Sequence, residues 1–258
     1  MLILLPPSEG KTAPVRGDAL DLPALSHPAL TPTRTAVLDA LVAASARPDA
    51  VDVLGVGAGI ADEVARNVDL RSAPAAEARR VYTGVLYAAA GLDRLTPAAR
   101  RRAADAVRVV SGLWGLVGPE DRIPAYRLSM GVDLPGVGPL ATAWRPHLEK
   151  VLSPRAEGDV VVDCRSAAYL AAWKPAKGTD WVSVRVLREL DGKRSVVSHN
   201  AKHTRGVLTR HLLTRDGDQP RTATEVLEAA TELVGGPLVD ATLLDGKNGA
   251  STLELVVL

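Results

Sequence analysis

Short blocks of aliphatic residues are spaced along the chain in a way that is typical of buried strands. Residues 1–5 (MLILL), 106–110 (AVRVV) and 159–163 (DVVVD) are apolar runs of strand length. Residues 181–187 alternate Val with Ser and Arg, and the Asp191-Gly192 turn after them predicts a hairpin. The pattern predicts three further strands, at 195–198, 237–244 and 251–257, the last two joined by a turn around Asp245-Gly246.

Apolar residues recur at helical spacing between these blocks. Thr33 is the expected N-cap of the first helix, and Thr96-Pro97 is a typical start for another. The order of elements is mixed, with no internal repeat and no long linker. We therefore expect an α+β fold over 1–258: a single compact mixed-sheet domain flanked by helices. Besides the helix that starts at Thr96-Pro97, the predicted helices are 34–46, 58–66, 76–90, 140–152, 166–173, 201–214 and 223–234.

Composition narrows the class of protein. Of the 258 residues, 47% are hydrophobic and 24% charged, which is ordinary for a globular chain and excludes a mostly disordered one. The apolar start ends at Pro6, too early for a targeting segment, and no run approaches the roughly 18 apolar residues of a membrane span. We expect a cytoplasmic protein with no membrane partner. The net charge of +1 indicates no partner by itself.

The loop after the first strand contains Gly10-Lys11-Thr12, which resembles the end of a phosphate-binding loop. The full motif requires a glycine five positions before Gly10, and that residue is Leu5. Pro6 and Pro7 also lack the backbone N–H groups from which a phosphate cradle is built. We do not expect a nucleoside triphosphatase. The loop still presents Ser8, Glu9 and Lys11 at the carboxyl end of a strand, where open α/β sheets bind ligands; the alternative is a solvated turn.

Residues 53–65 contain Gly55-Val56-Gly57 and resemble the glycine hairpin of a helix-hairpin-helix element, here expected over 48–66. Such a hairpin lets backbone N–H groups approach a DNA phosphate. A glycine-rich turn between two packed helices is the alternative. Gly55 and Gly57 are therefore candidate DNA-binding residues.

Residues 193–215 hold six cations and no Asp or Glu, an unusual run in an otherwise balanced sequence. A basic helical face of this kind suits contact with phosphates. The alternative is a solvated face that pairs with the acidic residues of 221–258. The cations are Lys193, Arg194, Lys202, Arg205, Arg210 and Arg215.

One cysteine and five scattered histidines give no zinc-ligand spacing, so we predict neither a metal site nor a cofactor. Cys164 follows a strand, which favours a small core residue over a nucleophile paired with His.

Two further segments are candidates for ligand contact. In SGLWG (111–115), small residues around Trp114 permit a close backbone approach, and in PAYRLSMG (124–131), Tyr126 and Arg127 offer stacking and bidentate anion contact. Core packing of Trp with Arg is the alternative.

Taken together, the chain resembles the YaaA family of peroxide-stress proteins. SGLWGLVGP, PAYRLSMG and AKHTRG are the most specific motifs, and the matching segments follow the order of the family over most of the chain. These segments are MLILLPPSEGKT (1–12), VYTGVLY (81–87), VVSGLWGLVGPEDRIPAYRLSMG (109–131), VVVDCRSAAYLAAW (160–173) and VVSHNAKHTRGVLTRHLL (196–213).

The resemblance implies a cytoplasmic bacterial protein that limits oxidative damage under hydrogen peroxide by keeping unincorporated iron low. It also implies a mixed α/β fold with a basic cleft, a helix-hairpin-helix element and binding of double-stranded DNA. The alternative is an enzyme acting on a small nucleotide-like or phosphorylated ligand in the same cleft, with catalytic residues unassigned. The family positions are Lys11, Ser111, Gly112, Tyr126, Arg127, Lys202, Arg205 and Gly206, and the basic run adds Arg210.

Overall fold

A computed structural model describes residues 1–196 and 199–258, and within them the chain forms one mixed α/β domain around a central sheet. The strands are β1 (Leu2–Leu5), β2 (Ala76–Glu77), β3 (Val107–Ser111), β4 (Gly115–Val117), β5 (Arg122–Ile123), β6 (Asp133–Leu134), β7 (Gly138–Pro139), β8 (Val161–Asp163), β9 (Trp181–Leu190), β10 (Lys193–Val196), β11 (Asp240–Asp245) and β12 (Ala250–Val257).

Helices cover the sheet and fill the connections. They are α1 (Thr31–Ser45), α2 (Ala50–Val53), α3 (Ala61–Ala65), α4 (Ala78–Val81), α5 (Val85–Ala90), α6 (Pro97–Ala106), α7 (Leu140–Ala156), α8 (Ala167–Leu170), α9 (His199–Thr214) and α10 (Ala223–Thr231). The predicted fold class, a mixed sheet flanked by helices, is confirmed.

The main sheet has eight strands in the order β11-β12-β9-β8-β1-β3-β4, with β10 paired to β9. The five strands from β12 to β3 are parallel, and β4, β10 and β11 join antiparallel. β1 lies in the middle, between β3 on one side and β8 on the other, and all four of its residues are fully buried. This explains why MLILL is continuously apolar: a parallel strand covered on both faces has no polar side.

The chain crosses from β1 to β3 on one side and later returns past β1 to β8 on the other. At such a reversal the loops leave the sheet in opposite directions and open a crevice outside the carboxyl ends of the strands. The first strand therefore delivers its loop, residues 6–12, into the most favourable place in the sheet for a ligand.

Four local predictions were wrong in detail. α1 begins at Thr31, two residues before the expected cap Thr33, because Pro32 fits the first turn of a helix, where its missing N–H costs nothing. The helix predicted at 76–90 is two short helices, since Gly84 adopts φ +104° between them. The helix predicted at 58–66 is a 3-10 turn followed by α3 and a second 3-10 turn. The helix predicted at 166–173 is shortened to α8.

Other local predictions are confirmed. Thr96 caps α6 with its side chain, and Asp191 and Gly192 form the β9–β10 turn, both with positive φ. The strand predicted at 195–198 lies partly outside the described residues. In a protein without Phe, three tryptophans supply the largest buried side chains of the core: Trp114, Trp144 and Trp173.

Candidate functional site

A cavity of about 360 Å³ opens at the carboxyl ends of β1 and β8. Five parts of the chain form its walls: the loop after β1, the segment around α5, residues 127–129, the loop after β8, and α9. Its lining includes Ser8, Glu9, Lys11, Thr83, Arg127, Ser129, Ser166, Tyr169, Lys202 and Arg205. Four of the predicted binding residues, from sequence positions almost two hundred apart, therefore line one cavity: Lys11, Arg127, Lys202 and Arg205.

The loop after β1 is tied to the segment before α5. The backbone N–H of Thr12 donates to the carbonyl of Val81 (2.9 Å), and the Tyr87 hydroxyl donates to the carbonyl of Pro6 (2.7 Å). The Ser8 hydroxyl accepts a hydrogen bond from the Thr83 N–H (3.0 Å) and donates to the carbonyl of Gly10 (2.6 Å). The loop is therefore not a glycine-rich phosphate-binding loop. Its conformation is fixed by hydrogen bonds to residues 81–87.

Lys11 lies at the base of the cavity. Its Nζ donates to the carbonyls of Ser8 (2.7 Å) and Glu9 (3.3 Å) and lies 4.3 Å from the centre of the Tyr126 ring. Burial, and then the charge of Arg127, lower the pKa of this amine to about 7, against the weaker opposing effects of Glu63 and Glu9. Lys11 is therefore only partly protonated at neutral pH.

Ser111 and Tyr126 lie beneath Lys11, outside the cavity lining. The Tyr126 hydroxyl is 2.6 Å from Ser111 Oγ and 3.0 Å from the Tyr82 hydroxyl, so three buried hydroxyls form a chain. Ser111 also accepts hydrogen bonds from the N–H groups of Leu113 and Trp114. Burial raises the pKa of Tyr82 and Tyr126 well above the usual value, which keeps both phenols protonated. The two predicted residues thus support Lys11 from below.

Arg127 is held from two directions. Its guanidinium donates to the carbonyl of Glu9 (3.3 Å) and lies 3.5 Å from the Glu63 carboxylate on α3. Its backbone N–H and carbonyl are both hydrogen-bonded to the amide of Asn67 (2.8 and 2.9 Å), a fully buried side chain. Sequence reasoning missed Asn67 because nothing near it in the sequence indicates that it reaches across 60 positions.

Helix α9 brings the remaining two cations to the cavity. Arg205 donates to the carbonyl of Val184 (2.8 Å), on the stretch of β9 that extends beyond the end of β8. Lys202 is exposed, and across residues 1–196 and 199–258 no carboxylate lies within 4.0 Å of the charged nitrogens of Lys202 or Arg205. At Gly206, α9 meets α5 so closely that a Cβ would overlap the carbonyl oxygen of Leu86.

A second depression of about 420 Å³, which we call the side groove, shares Ser166, Lys202 and Arg205 with the cavity. It runs along β9 and β12, and its further lining includes Ser183, Arg185 and Thr252. The cavity and the side groove thus meet at the two cations of α9.

The other candidate residues lie elsewhere. Arg210 is exposed, with its guanidinium against Gly91, and does not line the cavity. Arg194 pairs with Glu189 and Asp240, and Arg215 pairs with Glu232. Arg194 and Arg215 thus pair with acids, as the second interpretation of the basic segment expects, whereas Lys202 and Arg205 line the cavity, and phosphate contact by them stays a prediction.

Gly55 and Gly57 lie on the surface between α2 and α3. Gly55 adopts φ +62°, and its N–H donates to the carbonyl of Asp52 (3.0 Å), so this amide is used within the turn. The helices on either side have four and five residues. A helix-hairpin-helix function for 48–66 stays a prediction.

The loop after β8 is shaped by a buried ion pair. Arg165 and Asp163, both almost fully buried, share two hydrogen bonds of 2.9 and 2.7 Å, and Arg165 also donates to the carbonyls of Tyr169 and Trp173. Cys164 between them is fully buried, and burial raises the pKa of its thiol to about 12. This position agrees with its interpretation as a core residue.

At Gly112 another part of the backbone approaches closely, as the small residues of SGLWG predicted. A Cβ on Gly112 would lie 3.1 Å from backbone atoms of Ser129 and Met130, and the Trp144 indole N–H donates to its carbonyl. Trp114 packs edge-on against Tyr126, with ring centres 5.6 Å apart. The SGLWG segment thus belongs to the core that carries the cavity.

None of the helices in the described part of the chain combines the length and the apolar character that crossing a membrane requires. No group of three or more His, Cys, Asp or Glu side chains there could hold a metal ion.

Comparison with known proteins decides the family. Residues 1–230 match the sequence model described as peroxide stress protein YaaA. The chain belongs to the YaaA family. A UPF0246 protein of Streptomyces coelicolor is 49% identical over 237 residues, covering 90% of each chain, and one of Corynebacterium efficiens is 40% identical over 260 residues, covering both chains completely. A UPF0246 protein of Corynebacterium glutamicum is 36% identical over both full lengths.

The YaaA match begins at the first residue and ends at residue 230. It thus includes every residue that lines the cavity, from Pro6 to Arg205. The strands β11 and β12 lie beyond it and complete the sheet on the far side of β9. The cavity is therefore built entirely by the part of the chain that matches the family.

Proposed function

We propose that this YaaA-family protein acts in the bacterial cytoplasm under hydrogen peroxide stress by binding the sugar-phosphate backbone of DNA. In this proposal one nucleotide enters the cavity and neighbouring phosphates follow the side groove. The resulting protection would limit oxidative damage, in keeping with the control of unincorporated iron that the family resemblance implies. The observation that carries the proposal is the convergence of Arg127, Lys202 and Arg205 around Lys11.

The charges favour an anionic ligand. Glu9 and Glu63 partly balance Arg127. Lys202 and Arg205, in contrast, have no carboxylate within 4.0 Å in the described chain. These two cations also stand where the cavity joins the side groove, so a bound strand could use both depressions.

Size limits what the cavity can take. A volume of about 360 Å³ lies in the range of small-ligand sites, roughly 300–1,000 Å³, and a double helix, whose grooves alone are about 6–12 Å wide, is too large to enter it. An intact duplex would therefore contact the rim and the side groove. Only a single projecting nucleotide, or a strand end, would fill the cavity.

The same volume favours a second candidate function. A small phosphorylated or nucleotide-like molecule would fill the cavity without using the side groove. In that case the protein is an enzyme or a small-ligand receptor, with Ser8, Ser129 and Ser166 as hydroxyl partners for the ligand.

The test is a fluorescence anisotropy titration with a labelled DNA duplex and with a labelled single strand, between about 50 and 200 mM NaCl. We expect affinity to fall with salt, and Lys202→Gln to reduce the log–log slope by about one unit, the value for one lost phosphate contact. Lys193→Gln is the matched control, because it removes the same charge from the exposed end of the basic segment.

The outcomes separate the two candidates. If neither DNA form gives a salt-sensitive shift, the DNA proposal is wrong. Competition of a nucleoside monophosphate for the cavity, with no DNA binding, would support the small-ligand function. Equal effects of Lys202→Gln and Lys193→Gln would show that the cavity is not where DNA binds.

A further inference from the structure

Lys11 differs chemically from the other cations of the cavity. Arginine stays protonated in proteins, and Lys202 is exposed, whereas Lys11 is enclosed between its own loop and the Tyr126 ring. We propose that Lys11 is a nucleophile that forms an imine with the carbonyl carbon of a phosphorylated aldehyde or ketone bound in the cavity. This inference rests on the proposed function, since the phosphate of that compound would be held by the same cations.

The hydrogen bonds of Lys11 can hold a neutral amine in place. A neutral primary amine has two N–H bonds and one lone pair. The carbonyls of Ser8 and Glu9 provide two acceptors, at 2.7 and 3.3 Å from Nζ. With both N–H bonds directed to the loop, the lone pair remains for a carbonyl carbon. The loop that carries these acceptors is itself fixed by Ser8 and Thr83.

The surrounding charges determine how much of the amine is neutral. Burial and Arg127 favour the neutral form, while Glu63 and Glu9 favour the charged form, and the pKa that results is about 7. Tyr82 and Tyr126, the two rings nearest Nζ, stay protonated and uncharged. About half of the molecules therefore carry a nucleophilic amine at neutral pH, against well under one in a thousand for a solvated lysine.

The rest of the cavity fits a phosphorylated sugar. Arg127, Lys202 and Arg205 line the same cavity as Lys11 and offer donors to a phosphate. Thr83, Ser129 and Ser166 offer hydroxyl groups to the alcohols of a sugar. Two sources supply this chemistry: a free sugar phosphate, and the ring-opened aldehyde of an abasic deoxyribose within a DNA strand.

The reaction balances without an external oxidant or reductant. The Nζ lone pair forms the new C–N bond, and the C=O π pair moves to oxygen, which takes up a proton. Nitrogen loses a proton and the carbinolamine then expels water, so amine and carbonyl become imine and water. In the assay, borohydride adds hydride to the imine carbon and leaves a stable secondary amine on Lys11.

The experiment uses the full-length protein in two arms, one with glyceraldehyde 3-phosphate and one with an oligonucleotide containing an abasic site. Borohydride is added, and peptide mass spectrometry measures the labelled fraction of each lysine. We expect labelling of Lys11 to exceed that of exposed Lys150 at least about tenfold, because of its larger neutral fraction. Glyceraldehyde without phosphate is the control for the anion site.

Each outcome decides something. Labelling in the oligonucleotide arm identifies a DNA source, and labelling only in the other arm identifies a small metabolite. If Lys11 is labelled no more than Lys150 in either arm, the imine proposal is wrong, even where salt-sensitive DNA binding shows that the proposed function holds. Lys11→Met should remove the excess labelling. If the total labelling of the protein is the same in Lys11→Met as in the wild type, the proposal is also wrong. Because Lys150 is measured within the same wild-type molecule, the comparison does not depend on the variant folding.

Discussion

Asn67 shows how a residue without charge can determine the place of a charged one. Its buried amide binds both backbone polar groups of Arg127 and the Ser45 hydroxyl. The sequence indicated Arg127 by its type and its motif, but its position depends on a side chain 60 positions earlier. Tyr169 and Thr83 also line the cavity because distant parts of the chain meet there, and no local sequence pattern encodes such contacts.

Removing the Asn67 amide should therefore affect both stability and binding. Asn67→Ala leaves the N–H and carbonyl of Arg127 without these partners, and each buried unpaired group costs about 1–3 kcal/mol. We expect a lower free energy of unfolding in urea and a weaker affinity for DNA. Asn200→Ala is the control, since within the described residues the hydrogen bonds and ion pairs of Arg127 involve Asn67, Glu9 and Glu63 and not Asn200. Unchanged affinity in a folded Asn67→Ala protein would contradict this account of Arg127.

The lowered pKa of Lys11 predicts a pH dependence of binding. A lysine with a pKa near 7 is cationic below that pH and neutral above it, so attraction for phosphodiesters should decrease as pH rises through about 7. DNA affinity measured by anisotropy from about pH 6 to about pH 8 should fall in the wild type and stay nearly constant in Lys11→Met. The same decrease in both proteins would assign the titration to another group.

At the scale of elements, prediction succeeded where the hydrophobic pattern is continuous or strictly alternating and failed where backbone geometry decides. The strands at residues 2–5, 107–111 and 181–190 follow from apolar runs and alternation. The segment 76–90 has a helical composition, yet Gly84 and the pairing of β2 with β5 divide it. The charged site residues were predictable from charge and from the strand-end rule; the polar lining was not, because it depends on which loops meet.

The crossing of α5 and α9 depends on the absence of a side chain at Gly206. A Cβ there would overlap the carbonyl oxygen of Leu86 and lie 2.7 Å from the Ala89 side chain, so the helices would have to separate. We expect Gly206→Ala to lower the free energy of unfolding by about 1–3 kcal/mol, the usual cost of overpacking. Gly59→Ala, where no atom lies within 4 Å of the added Cβ, is the control in the same thermal or urea denaturation. Equal effects of the two changes would show that the crossing tolerates a methyl group.

Over the whole molecule, position matters more than net charge. The 31 basic and 30 acidic residues nearly cancel, and most buried or half-buried cations away from the cavity have a carboxylate or carbonyls as partners, such as Arg79, Arg155 and Arg34. Lys202 and Arg205 have no carboxylate within 4.0 Å in the described chain, and they differ from Arg34, which also lacks one, because they line the cavity. A global charge count could not reveal this difference, and only the tertiary arrangement creates it.

A comparison of two variants with the same net charge tests this view. Arg215→Gln removes a cation that already pairs with Glu232, so we expect the salt dependence of DNA binding to remain as in the wild type. Lys202→Gln should reduce the salt dependence of DNA binding, lowering the log–log slope by about one unit for the lost phosphate contact. If the two variants weaken binding equally, long-range attraction by total charge governs the interaction. Anisotropy titrations at matched ionic strength give the answer.

Helix α5 supports two walls of the cavity at once. Tyr87 fixes Pro6 of the first loop, and one residue earlier Leu86 meets Gly206 of α9, so six residues set the spacing between Lys11 and Lys202. Neither wall can swing outward without pulling on this common brace. For a ligand bound as proposed, an entrance of fixed width would select by molecular size, without a closing movement of either wall.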